Sequence, residues 1–135
     1  MKAYVLSIKK SYGLNLLNCT ALWEYRKRRS LIKAGDRIIL YATSPHKELI
    51  GEFTVGEVLV GSPEDIWEKT KLDVCYMIED VVPYLKSGDY PIAFKVESPK
   101  LYEKPIPLSR IAFFKPPVSY CEVPEQLASK VLSRF

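Results

Sequence analysis

The chain has 135 residues, 47% apolar and 27% charged, with a net charge of +4. That is enough for one compact domain with a sizeable core, and too apolar for large-scale disorder. No run approaches the roughly 18 apolar residues of a membrane span. The opening MKAYVLSIKK is too short and too soon charged for a signal peptide, so a cytoplasmic protein folded as one domain over 1–135 is expected.

Along the chain, Ala3–Ile8 (AYVLSI) is rich in β-formers and is expected to be a strand. Lys10–Asn18 spaces Tyr12, Leu14, Leu16 and Leu17 as a short amphipathic helix, ended by Asn18-Cys19. Leu22–Arg26 is a short second strand. Lys33-Ala34-Gly35-Asp36 is a turn, because Gly and Asp accept the backbone angles it needs. Arg37–Thr43 (RIILYAT) is a buried strand, and Ser44 to Lys47 a loop. Leu49–Val60 is a long strand in which Gly51 and Gly56 are candidate bulges. Ser62-Pro63-Glu64-Asp65 starts a helix, with a Ser cap, Pro in the first turn and acids at the positive end. That helix runs to about Lys69, and another spans Ile78–Lys86. Tyr90–Glu97 and Leu101–Leu108 are two further strands, and Pro124–Arg134 is a C-terminal helix. Five or six strands with short helices between them and no βαβ rhythm predict an α+β, mostly β fold: a small, mainly antiparallel barrel with helices over its ends.

Much chemistry is missing. Neither GxxxxGK[ST] nor GxGxxG occurs, and the lone histidine, His46, lies on a loop beside Pro45, away from any relay or ligand set. Cys19, Cys75 and Cys121 form no CxxC pair and are expected to be mostly buried thiols. No metal site and no cofactor are expected.

The positive charge is concentrated. From Glu24 to Arg37 there are six basic residues (Arg26, Lys27, Arg28, Arg29, Lys33, Arg37) against Glu24 and Asp36, and the rest of the chain carries 14 of each sign. The whole surplus therefore falls in one segment, as a phosphate-binding patch or as a solvated basic loop.

The stretch Leu16–Arg26, LLNCTALWEYR, followed by AGDRIILYAT and LIGEFTVGEV, resembles the ASCH family of the PUA-like superfamily, small β-barrels associated with RNA. The family motif is G-x-K-x-x-E-x-R, at the end of the first helix and entering the second strand. Glu24 and Arg26 fall on its E and R, whereas Cys19 takes the glycine position and Ala21 the lysine position. The order of elements, through KPIPL and Pro116-Pro117, extends the resemblance over about 110 of the 135 residues.

In some relatives the resemblance implies an amidohydrolase acting on acetylated cytidine, with the motif lysine as a catalytic group. Alanine has no such chemistry, so that mechanism does not transfer to residue 21, and no catalytic residue is assigned. Lys27 or Lys47 would have to approach the cleft in its stead.

Glu24 can accept hydrogen bonds from a base amine or ring N–H, and Arg26 can hold a phosphate or stack on a base. Bases on aromatic faces gain about 1–3 kcal/mol each. Strand alternation nevertheless separates Trp23 and Tyr25 from Glu24 and Arg26. The expectation puts Trp23 in the core and the Glu24–Arg26 pair in a cleft, against a reading in which that pair is only a brace. Lys27, Arg28 and Arg29 are expected to contact phosphates. Thr43, Ser44 and Lys47 would form a second wall and Tyr120 a third, unless Tyr120 only packs. Three functions follow: a module binding RNA or a modified nucleoside; a hydrolase acting on either (amidohydrolase or ribonuclease); and a regulator acting through protein partners.

Overall fold

The computed structural model describes residues 1–111, 114–124 and 127. Six strands form one curled mixed sheet, a half-barrel in the order β2-β5-β4-β3-β1-β6, with three short helices packed on it. The expected α+β, mostly β architecture is what the chain builds. β6 (Tyr120–Glu122) is a strand that sequence reasoning missed, and it pairs antiparallel with β1.

β1 (Ala3–Ile8) and β3 (Arg37–Ala42) lie side by side in parallel, the one parallel pair among the described strands. Parallel neighbours need a crossover, and residues 9–36 supply it through α1 (Lys10–Leu17) and β2 (Trp23–Arg26). Both strands read as unbroken apolar runs because both faces are covered. Tyr4, Leu6, Ile8, Ile38, Leu40 and Ala42 join one core with Leu16 and Leu17 of α1. Val5, Ile39 and Tyr41 join another, with Tyr102, Ile111 and Phe114.

The Lys33–Asp36 turn fastens this pair. Asp36 is buried, and its carboxylate accepts from the backbone N–H of Lys2 at 2.9 Å and of Lys33 at 2.8 Å. Gly35 takes φ +92° there, an angle that favours glycine.

β4 (Glu48–Val60) spans 13 residues and shifts register against its neighbour between Leu49 and Gly51, Glu52 and Thr54, and Val55 and Val58. The irregularities thus flank both glycines expected to bend it. A Cβ on Gly51 would lie 2.5 Å from the Lys100 carbonyl oxygen, so only glycine allows that approach.

The two strands expected after Tyr90 are one continuous strand, β5 (Ile92–Pro107), kinked where Ser98 takes φ +48°. It carries Pro99, Pro105 and Pro107 beyond that kink. They are tolerated because β2 pairs with β5 only over residues 92–95, which leaves the far half an edge where a missing N–H is no loss.

α2 (Pro63–Thr70) starts as its sequence dictates, with Ser62 Oγ accepting the Asp65 N–H at 3.1 Å. α3 (Ile78–Lys86) is separated from it by a 3-10 turn at Lys71–Asp73. Both helices bury Ile66, Trp67, Val81, Val82 and Leu85 against Trp23 and Tyr25 of β2. Of the expected C-terminal helix only Pro124 and Leu127 are among the described residues, and Leu127 is buried in the second core. Cys19 and Cys75 are exposed and Cys121 is half-buried, so the expectation of buried thiols is corrected. No helix among the described residues is long and apolar enough to cross a membrane.

Candidate functional site

β2 decides the site by alternation. Trp23 and Tyr25 turn inward onto α2 and α3, and the Tyr25 hydroxyl meets Thr70 Oγ1 at 2.7 Å. Thr70 Oγ1 donates in turn to the Ile66 carbonyl at 2.8 Å, so the Tyr25 hydroxyl is the donor of the pair. Glu24 and Arg26 face the other way, into a cavity of about 260 Å³. Four elements wall it. β1 gives Ser7 and Ile8, the α1 entrance gives Lys9 and Tyr12, and β2 gives Glu24 and Arg26 together with part of Tyr25. Tyr76, Asp80 and Tyr84 close the fourth side from α3 and the segment before it.

The carboxylate and guanidinium in this cavity hold each other. Glu24 Oε2 accepts from Arg26 Nη2 at 2.9 Å and from Nε at 3.0 Å, and Glu24 Oε1 accepts the Tyr25 N–H at 3.1 Å. Arg26 Nη2 also donates to the Ser7 carbonyl at 2.9 Å, tying edge strand β2 to β1 where no ladder joins them. Both side chains keep little exposure, 13% for Glu24 and 16% for Arg26. Burial pushes the Glu24 carboxyl above its ordinary value, and that outweighs the Arg26 charge and the hydrogen bonds, which pull it down.

The rings around the pair are also oriented. Tyr12 and Tyr76 meet edge to face with centroids 5.8 Å apart, and Lys9 Nζ lies 6.0 Å from the Tyr12 centroid. Burial raises the Tyr76 phenol to about 12, and the nearby Glu24 charge adds to the upward push on both Tyr76 and Tyr84.

The basic segment leaves this cavity along α3. Lys27 Nζ lies 5.0 Å from the Tyr84 centroid and donates to Ser87 Oγ at 3.0 Å, while Arg29 lies over Tyr90 at 5.4 Å. Arg28 is exposed, and its charge reaches the Tyr84 phenol. Of the candidate residues, Glu24 and Arg26 therefore line the cavity, whereas Lys27, Arg28 and Arg29 flank it on the Tyr84 side.

The other proposed walls lie elsewhere. Thr43, Ser44 and Lys47 sit on the β3–β4 loop and do not line the cavity, although the Thr43 N–H donates to the carbonyl of the lining residue Ile8 at 3.0 Å. Tyr120 stands on β6, edge to face with Tyr4 at 5.8 Å, its hydroxyl accepting the Leu31 N–H at 3.2 Å.

Sequence reasoning missed Lys9, Tyr12, Tyr76 and Tyr84. Tyr12 and Tyr84 carried only a helical-spacing signal, and Tyr76 sits in an irregular segment with none. Ala21, at the motif's lysine position, is fully buried in the first core and does not line the cavity. Cys19, at the glycine position, takes φ +63°. No group of histidine, cysteine or acidic residues among the described residues could hold a metal ion.

Comparison with solved structures places this geometry in a known fold. The crystal structure of ASCH from Zymomonas mobilis superposes with a TM-score of 0.87 at 23% identity, covering 98% of this chain and 94% of that one. The N-terminal domain of Staphylothermus marinus McrB superposes at 0.62 with 17% identity, covering 98% and 94%. A protein of Rhodopseudomonas palustris gives 0.59 at 13% identity, covering 98% and 92%. The chain thus has the fold of the ASCH protein of Zymomonas mobilis, and at these identities the likeness is one of fold. No protein-family model matches the chain, and no curated protein matches it in sequence.

Proposed function

We propose that the protein is a cytoplasmic, single-domain ASCH-type module that binds RNA. It takes a base or modified nucleoside into the Glu24–Arg26 cavity and rests the adjoining phosphates on Lys27, Arg28 and Arg29. One observation carries the reading: a cavity of about 260 Å³ joins the Glu24 and Asp80 carboxylates, the Arg26 guanidinium and four tyrosines, and the segment holding all the surplus positive charge leads away from it. Drug-sized ligands fill roughly 300–1,000 Å³, so this space suits a smaller, flat ligand. The fold shared with the ASCH protein supports the reading.

Fluorescence anisotropy with labelled single-stranded and structured RNA tests it. Micromolar or tighter binding that weakens with salt is expected, and Glu24→Ala should reduce it. Binding that is absent or insensitive to salt would overturn it.

A hydrolase is the second reading, favoured by Lys9 and Glu24 lining one cavity. A carboxyl raised by burial can exchange a proton nearer neutral pH, as general acid–base work requires. Turnover of N4-acetylcytidine or of a mixed RNA pool that Glu24→Ala abolishes would establish this reading; no turnover leaves the binder.

A further inference from the structure

Tyr76 reaches the cavity from the segment between the 3-10 turn and α3, and its hydroxyl is met from behind by Asn15. Asn15 lies in the last turn of α1 and does not line the cavity. Its Nδ2 donates to the Tyr76 hydroxyl oxygen at 3.2 Å, and its Oδ1 accepts at 3.1 Å from Thr20 Oγ1, which shares its hydrogen with the Asn15 carbonyl, also at 3.1 Å. Thr20 is carried there by the left-handed residue Cys19, which also folds the Thr20 and Ala21 N–H groups onto the Asn15 carbonyl at 2.9 and 3.0 Å.

Both ends of the carboxamide are thus engaged, with the Nδ2 end facing the phenol. A phenol has one hydrogen to give. Since the Tyr76 oxygen already accepts from Asn15, that hydrogen is free to point away from Asn15, toward the cavity that Tyr76 lines.

We infer that Asn15 is a positioning residue that makes Tyr76 a hydrogen-bond donor to the ligand. The cavity then selects a base edge that offers an acceptor (a ring nitrogen or a carbonyl) to Tyr76 and an N–H to Glu24. This rests on the reading of the cavity as a base-binding site. The high pKa of the phenol, about 12, keeps it protonated and able to donate across the physiological range.

Replacing Asn15 by aspartate reverses the polarity, because a carboxylate only accepts and draws the phenol hydrogen to itself. Anisotropy with fluorescein-labelled single-stranded RNA of mixed sequence should be read on the wild type, Asn15→Asp, Tyr76→Phe and the double variant. A lost hydrogen bond of about 1–1.5 kcal/mol corresponds to roughly five- to tenfold weaker binding for each single variant. The double variant should bind no more weakly than Tyr76→Phe alone, with thermal midpoints recorded in parallel. If Asn15→Asp does not fold, Tyr76→Phe decides alone, since deleting the hydroxyl must weaken binding.

A wild type that binds no RNA overturns the base-site reading, and this inference with it. A wild type that binds, with either single variant binding equally well, overturns the inference alone. So do single effects that simply add, because Asn15 would then act by another route.

Discussion

Glu24 and Arg26 brace β2 and floor the cavity at once; the two readings open from the sequence are both properties of one pair. Their Coulomb attraction at 2.9 Å does not offset the loss of water around Glu24, whose carboxyl titrates above its ordinary value of 4.5. A carboxyl raised in the fold binds its proton more tightly there than in the unfolded chain. Its contribution to stability is therefore full below the unfolded value and is lost as pH rises through the raised folded one. Urea midpoints measured from acid to neutral pH should show this fall in the wild type, starting near 4.5 and running upward. Glu24→Gln, which cannot titrate, should lack it. That Trp23 and Tyr25 take one face and Glu24 and Arg26 the other was legible in the sequence, because alternation is local. Which face met solvent was not, because α2 and α3 settle that from some 40 to 60 residues away.

At the scale of the element, the end of α1 shows why the motif has a glycine where this chain has Cys19. The residue is left-handed at φ +63°, and the turn closes with the Thr20 N–H on the Asn15 carbonyl at 2.9 Å, the six-to-one bond that ends many helices. A side chain in that region costs about 1 kcal/mol, and the exposed Cys19 makes no core contact to offset it. Cys19→Gly should raise stability by about 0.5–1 kcal/mol in chemical denaturation, the relieved strain exceeding the added entropy of the unfolded chain.

The turn after α3 constrains the basic segment in a similar way. A Cβ on Gly88 would stand 2.2 Å from the Lys27 carbonyl oxygen, a backbone atom that cannot move aside alone. Gly88→Ala should cost about 1–3 kcal/mol and, by displacing Lys27, weaken RNA binding in anisotropy. The start of α2 was readable because its Ser cap and acidic first turn are local chemistry, and α1 because its apolar spacing is. β6 and the unbroken β5 were not. Three residues carry no period, and the prolines of β5 are harmless only because that half of the strand is an edge.

For the whole molecule, the charge surplus of the 24–37 segment sets the expected salt response. If Lys27, Arg28 and Arg29 each neutralise one phosphate of a single strand, the logarithm of the binding constant should fall against the logarithm of salt with a slope of about −2. Arg28→Ala with Arg29→Ala should make that slope shallower by about 1.4, leaving the fold intact, since both side chains are exposed. An unchanged slope in an anisotropy salt series would move the phosphate path elsewhere.

The sequence by itself determined the mostly-β class, three helices within a residue or two of their bounds, the bends at Gly51 and Gly56, and the Glu24–Arg26 face as a candidate. All of these follow from periodicity, turn chemistry and caps within a few neighbours. Tertiary structure alone decided that the cavity draws on β1, α1, β2 and α3, bringing Lys9, Tyr12, Tyr76 and Tyr84 to the pair and leaving Thr43–Lys47 and Tyr120 outside. A cavity is where distant elements fail to fill space, and sheet order and helix packing set that, not any run of adjacent residues.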